Sequence, residues 1–96
     1  MQLTREIVTV WLAGAAGRDP RNSAGGVPVR LLWSGDQYRV SDTPTPLYGY
    51  IPEAPTHPLQ PRLGWRFQGT NGRGETYIFD VHHRGRGEWE LVAVYR

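Results

Sequence analysis

Residues 62–96 restrict the fold of this chain more than any other stretch. They hold large rings and aliphatics spaced two apart, in three runs separated by glycine-containing turns. In the first run Leu63, Trp65 and Phe67 alternate with Gly64, Arg66 and Gln68. Side chains of an extended strand point alternately to opposite faces, so this spacing gathers the apolar ones on one side. Asn71-Gly72 then signals a hairpin, because both residues tolerate positive φ. In the second run, Glu75 to Val81, Tyr77, Phe79 and Val81 share a face, with Thr76 and Asp80 opposite. A turn at His83–Gly87 leads into Glu88 to Tyr95, where the spacing predicts Trp89, Leu91, Ala93 and Tyr95 inward. Val92 and Val94 then fall on the other face beside Glu90, which implies that the end of this strand is covered. Three strands with one apolar face are the minimum for independent stability, so the N-terminal half is expected to supply the covering layer.

That half repeats the pattern in a shorter form. Val27, Val29, Leu31 and Trp33 share one face of an expected strand, Ser34-Gly35-Asp36 makes a tight turn, and Gln37 to Val40 returns with Tyr38 and Val40 aligned. Pro28 cannot donate to a ladder, so the start of this strand is expected at an edge. Leu3 to Leu12 favours a strand through Ile7, Val8 and Val10, with a short helix as the alternative given Glu6, Leu12, Ala13, Ala15 and Ala16. Residues 14–26 carry Gly17, Asp19-Pro20, Asn22-Ser23 and Gly25-Gly26, a run of turn signals expected to be a mobile loop. Residues 42–61 hold six of the eight prolines, at 44, 46, 52, 55, 58 and 61. Each X-Pro step favours extended or polyproline geometry over a regular ladder, so this is expected to be a long loop. Long ordered loops in small domains often carry function, although Tyr48, Tyr50 and Ile51 could equally cap an open barrel end.

The expected architecture is all-β: a small, strongly bent antiparallel barrel of about five or six strands, SH3-like, forming a single domain over residues 1–96. With 96 residues, 12 glycines and 8 prolines, short strands and many turns outweigh long helices. Cysteine is absent, which excludes disulfides, thiolate chemistry and zinc fingers. Arg5 and Glu6 interrupt the N-terminus and only a short apolar run follows, which reads as neither a signal peptide nor a membrane span. A cytoplasmic location is the default expectation.

With Pro28 to Val40 and Trp65 to Tyr95 in hand, the chain resembles a small uncharacterised bacterial family. Its members carry an apolar-x-Trp-x-Gly-x-x-Tyr-x-Val hairpin and a C-terminal aromatic meander. Trp33, Gly35, Tyr38, Val40, Tyr77, Phe79, Trp89, Leu91, Val94 and Tyr95 match that pattern. The match covers roughly the last seventy residues. Where family members carry tryptophans between the two halves, this chain has its proline-rich stretch. Some members are encoded beside error-prone DNA polymerase accessory genes, so the resemblance implies a connection to DNA repair or damage tolerance.

The net charge is +2, and all eleven basic residues are arginine. A GC-rich genome yields the same bias. Arginine also forks onto phosphate and stacks on bases. The meander topology predicts that Arg62, His82, His83, Arg84 and Arg86 cluster at one sheet end, with Tyr48 and Tyr50 nearby. These seven are the candidate nucleic-acid-binding residues, pairing arginine for phosphate with tyrosine for bases; the bland alternative is a solvated hairpin tip. Arg73 and Arg96 are expected at the opposite end, roughly 20 Å away for strands of about seven residues. Asp80 and His82 share a face but His83 does not, too few ligands for a metal. The carboxylates are scattered, and Gly72-Arg73-Gly74 precedes a strand rather than a helix, unlike a phosphate-binding loop. The expectation is therefore a non-enzymatic binding module without cofactor or metal. Its partner is single-stranded or duplex DNA. The alternative is a protein partner docked on the proline-rich loop or an edge strand. No membrane contact is expected, and the exposed edge near Pro28 leaves both monomer and homodimer open.

Overall fold

The computed structural model describes residues 2–13, 26–48 and 62–96, and every regular element among them is a β-strand. The strands are β1 (Gln2–Ala13), β2 (Val27–Trp33), β3 (Asp36–Val40), β4 (Thr45–Tyr48), β5 (Arg62–Thr70), β6 (Thr76–Gly85) and β7 (Glu88–Tyr95). They pair antiparallel in the order β3-β2-β1-β7-β6-β5-β4. Val40 pairs with Gly69 and Arg39 with Thr70, and this contact between β3 and β5 closes six strands into a barrel. The expectation of a small bent antiparallel barrel is borne out, with β4 added as a seventh strand. Residues 14–25, most of the expected mobile loop, and 49–61, most of the proline-rich stretch, lie outside the described residues.

The inward face of the barrel is the aromatic face read from the sequence. Leu31, Phe67, Phe79, Val81 and Leu91 are fully shielded, and Tyr38, Trp65, Trp89 and Val94 nearly so. Each such side chain contributes about 2 kcal/mol by leaving water. The rings meet at tilted or edge-on angles, as their quadrupoles favour. Tyr38 and Phe79 lie 5.1 Å apart, Trp33 and Phe79 5.6 Å, and Phe67 and Phe79 5.8 Å. Gly69 sits at the closure seam, where an added Cβ would come within 2.9 Å of the Phe79 ring and 3.1 Å of the Tyr38 Cβ. Burial raises the Tyr38 phenol above its ordinary pKa.

Inserted residues break the period-two reading at five places in the ladders. Trp11 pairs with Arg30 but Leu12 with Pro28, so Val29 is a bulge residue on β2. The phase flips there: Pro28 and Leu31 are buried, while Val27 and Val29, expected inward, face solvent. Asp80 pairs with Ala93 but Val81 with Leu91, so Val92 is a bulge on β7. Beyond it Val94 turns inward against Phe79, and Tyr95 moves to the outer face, the reverse of the expected alternation. A third irregularity between Leu3 and Glu6 holds Arg5 at φ 56°. These bulges bend the strands as barrel closure requires. Leu63, also expected inward, is 37% exposed; it is the extra residue on β5 where Leu47 pairs with Gly64 but Tyr48 with Arg62.

Residues 45–48 form a ladder within the stretch expected to be loop. β4 continues the line of β3 along the same edge of β5, with Pro46 opposite Trp65. Among the described residues the other side of β4 has no strand partner, so Pro46 sits on an edge of the described sheet, where its missing N–H is tolerated. A bend between the two strands is fastened to Gln68. The Ser41 amide donates to the Gln68 carbonyl at 2.8 Å, and Asp42 Oδ1 accepts from the Gln68 amide at 2.8 Å.

Turn chemistry fixes the hairpins. Ser34 and Gly35 both take positive φ, 53° and 81°, giving a two-residue turn whose twist matches its strands. Arg86 and Gly87 do the same at 57° and 75°. The β5–β6 loop differs from the expected Asn-Gly turn. Its left-handed residue is Gly74 at φ 82°, and Asn71 Oδ1 accepts from the amides of Arg73 and Glu75 at 3.0 and 2.9 Å.

Candidate nucleic-acid interface

The sheet places the seven sequence candidates as follows. Arg62 opens β5 opposite Tyr48, and Gly64 two residues on pairs with His82. Gly85 pairs with Glu88, so the Arg86 turn lies at this same end. Backbone proximity does not make one side-chain surface, however. His82 is half-buried on the outer face between Gly64 and Glu90. His83 points the other way, with its ring 4.9 Å from Trp89, and burial pushes its pKa down. Arg84 donates to Glu90 Oε1 at 3.0 Å, and Arg5 approaches the other carboxylate oxygen at 3.9 Å. Glu90 is buried, so Arg84 neutralises a carboxylate held out of water. Arg86 and Tyr48 are exposed. Tyr50 lies outside the described residues, as does the side chain of Arg62.

Two more arginines are engaged elsewhere. On the outer face of β5 and β6, Arg66 forks onto Asp80 with Nε and Nη2 at 2.7 and 2.9 Å, and Tyr95 donates its hydroxyl to the same carboxylate at 2.9 Å. The Arg66 guanidinium also lies 5.0 Å from the Tyr95 ring centre. The bond to Asp80 raises the Tyr95 phenol above its ordinary pKa. At the opposite end of the barrel, Arg73 holds Asp36 at 2.6 Å and Glu75 at 2.9 Å.

Two further exposed arginines among the described residues of the N-terminal half sit together. Arg30 on β2 and Arg39 on β3 are direct cross-strand partners, both solvent-facing. Neither makes an ion pair among the described residues. Arg30 also pairs with Trp11 of β1, its guanidinium 5.9 Å from that ring's centre, and Arg39 pairs with Thr70 of β5. One outer row therefore reads Trp11, Arg30, Arg39, Thr70. Two grooves of about 410 and 470 Å³ meet at the arginine pair. The first runs past Gln37, Ser41 and Asn71; the second passes Leu12 and Val29 and ends at Trp11.

The sequence reading did not single out this row, although a signal for it exists. A two-residue turn at Ser34-Gly35 sets the register outward pair by pair: Trp33 with Asp36, Leu32 with Gln37, Leu31 with Tyr38, Arg30 with Arg39. Like charges directly opposite one another are unfavourable in a sheet.

Among the described residues no three histidine or carboxylate side chains gather so as to hold a metal ion. Comparison with known proteins adds no assignment: no family model matches the chain, and neither a curated protein nor a solved structure matches it.

Proposed function

We propose that this barrel is a non-enzymatic nucleic-acid-binding module. The observation that carries the reading is the pairing of Arg30 with Arg39 on an exposed sheet face, with no acidic partner for either among the described residues. Guanidinium groups left uncompensated at a surface attract polyanions, and phosphate is the anion that their fork geometry fits. Arg86 and Tyr48 at the hairpin-tip end add a second exposed cation and ring, and Arg62 opens the neighbouring strand. The resemblance to a family encoded near error-prone polymerase accessory genes points to a role in DNA repair or damage tolerance.

A second reading, a protein-binding module, draws on Val27 and Val29 at the open start of β2 and Leu32 near its end, residues 39%, 42% and 37% exposed. Salt separates the two. Binding to phosphate weakens steeply as salt rises, and an apolar contact does not. The test is a fluorescence titration of labelled single-stranded and duplex oligonucleotides at low and high salt. The proposal expects binding at low salt that fades at high salt. Absence of binding at low salt to either form removes it.

A further inference from the structure

We propose that the outer face of β1–β3 is a track for a single-stranded nucleic acid, with Arg30 and Arg39 holding backbone phosphates and Trp11 stacking on a base. This deepens the reading above and rests on it.

The charge argument is local. Acidic side chains near the track are committed to other partners: Asp36 to Arg73, Asp42 to the Gln68 amide, and Glu6 to the Trp33 indole nitrogen. Among the described residues neither arginine makes an ion pair, and each faces a like charge directly across the ladder. A phosphodiester chain supplies the missing negative charge, and two neighbouring guanidinium groups can hold successive phosphates.

The ring argument selects the form of the strand. Trp11 keeps 39% of its surface in water, although it is the largest kind of apolar side chain and the barrel interior is adjacent. Arg30 lies over the ring, so cation and aromatic surface form one unit. A base in a duplex has both faces covered by its neighbours, whereas a base in a single strand can stack on an exposed ring. The exposed Gln37 amide lines the adjoining groove beside the Ser41 and Thr70 hydroxyls and can bond sugar and phosphate oxygens. Deoxyribose and ribose strands share this chemistry, so the track takes either, and their relative affinity identifies the natural one.

The experiment measures fluorescence anisotropy with labelled oligo(dT) and oligo(U) of about twelve nucleotides, and with a duplex of equal length, across a salt series. The intact chain should bind one or both single strands more tightly than the duplex. Arg30→Ala with Arg39→Ala should lower affinity at least tenfold and flatten the plot of log affinity against log salt by about 1.4, the slope for two phosphate contacts on a single strand. Trp11→Ala should weaken binding on the order of tenfold while leaving that slope unchanged, and Trp11→Phe should recover most of the loss. All three side chains lie on the outer face, so the urea unfolding midpoint of each variant serves as the folding control. Equal or tighter binding of the duplex overturns the choice of a single strand. Single-strand binding untouched by all these substitutions overturns the track but leaves the module a nucleic-acid binder through another surface. Failure to bind any oligonucleotide overturns both.

Discussion

The same barrel sets arginine in two opposite ways on its outer face. Across β5, β6 and β7, Arg66 is clasped by Asp80 and Tyr95, and the carboxylate it neutralises is itself buried. Across β1, β2 and β3, Arg30 stands against Arg39 with no ion-pair partner among the described residues and an exposed tryptophan beside it. The first arrangement satisfies every strong polar group it brings together and contributes to the fold. The second brings like charges together, costs stability, and gains only if something negative arrives from outside. Arginine content alone, which is what a composition reports, cannot separate these uses; the neighbours across the ladder do.

The largest effect expected from breaking this contrast is on the clasped side. Asp80→Ala removes the acceptor for two arginine donors and a tyrosine hydroxyl, and should lower unfolding free energy by about 2 kcal/mol. Denaturant unfolding reads this, and oligonucleotide affinity should stay unchanged. An intermediate effect of opposite sign is expected at the hairpin tip. Arg86 takes φ 57° in a two-residue turn where asparagine is better suited. Arg86→Asn should raise stability by about 1 kcal/mol, since a left-handed conformation costs an ordinary residue roughly that much. Unchanged nucleic-acid affinity in that variant would further separate the tip from the track.

A smaller gain is expected on the uncompensated side. Arg39→Gln removes a like-charge cross-strand pair and should stabilise the barrel by about 0.5 kcal/mol at low salt, with the gain shrinking as salt rises. A loss of stability would mean that Arg39 is structural after all. The smallest effect is a pH dependence. Burial beside Trp89 lowers the His83 pKa in the folded chain. The unfolded state then binds more protons, so stability is fully present above the ordinary histidine value of about 6.5 and is lost as pH falls below it. His83→Gln should flatten the unfolding midpoint between neutral and mildly acidic pH; an unchanged slope would mean that the ring is no less solvated than in the unfolded chain.

Much of the fold was legible because its strands keep strict alternation where no residue is inserted. Trp65, Phe67, Tyr77, Phe79 and Val81 are inward as read, and the Ser34-Gly35 hairpin falls where its turn residues place it. The misreadings cluster at Val29 and Val92. One extra residue reverses every later position on the strand, and nothing about a valine announces that it will be the extra one. Strand β4 escaped notice because proline argues against a ladder, and only the knowledge that β4 is an edge removes the objection. The sequence pattern says less about surface chemistry than about the fold. Arginines and histidines dense in sequence drew attention to residues 82–86, yet Arg84 is bonded to Glu90 and His83 faces Trp89. Arg30 and Arg39 are nine positions apart and meet only through the hairpin register.

The claim on which the rest depends is that the Arg30–Arg39 face is the main seat of nucleic-acid binding and the arginine-dense tip at most a secondary one. Backbone amide and indole NMR shifts followed during titration with unlabelled oligo(dT) test it most directly. The account predicts that the Trp11 indole and the amides of Leu12, Arg30, Arg39, Ser41 and Thr70 move together and saturate at one concentration. Shifts confined to Tyr48 and residues 82–87, with Trp11, Arg30 and Arg39 still, would contradict it.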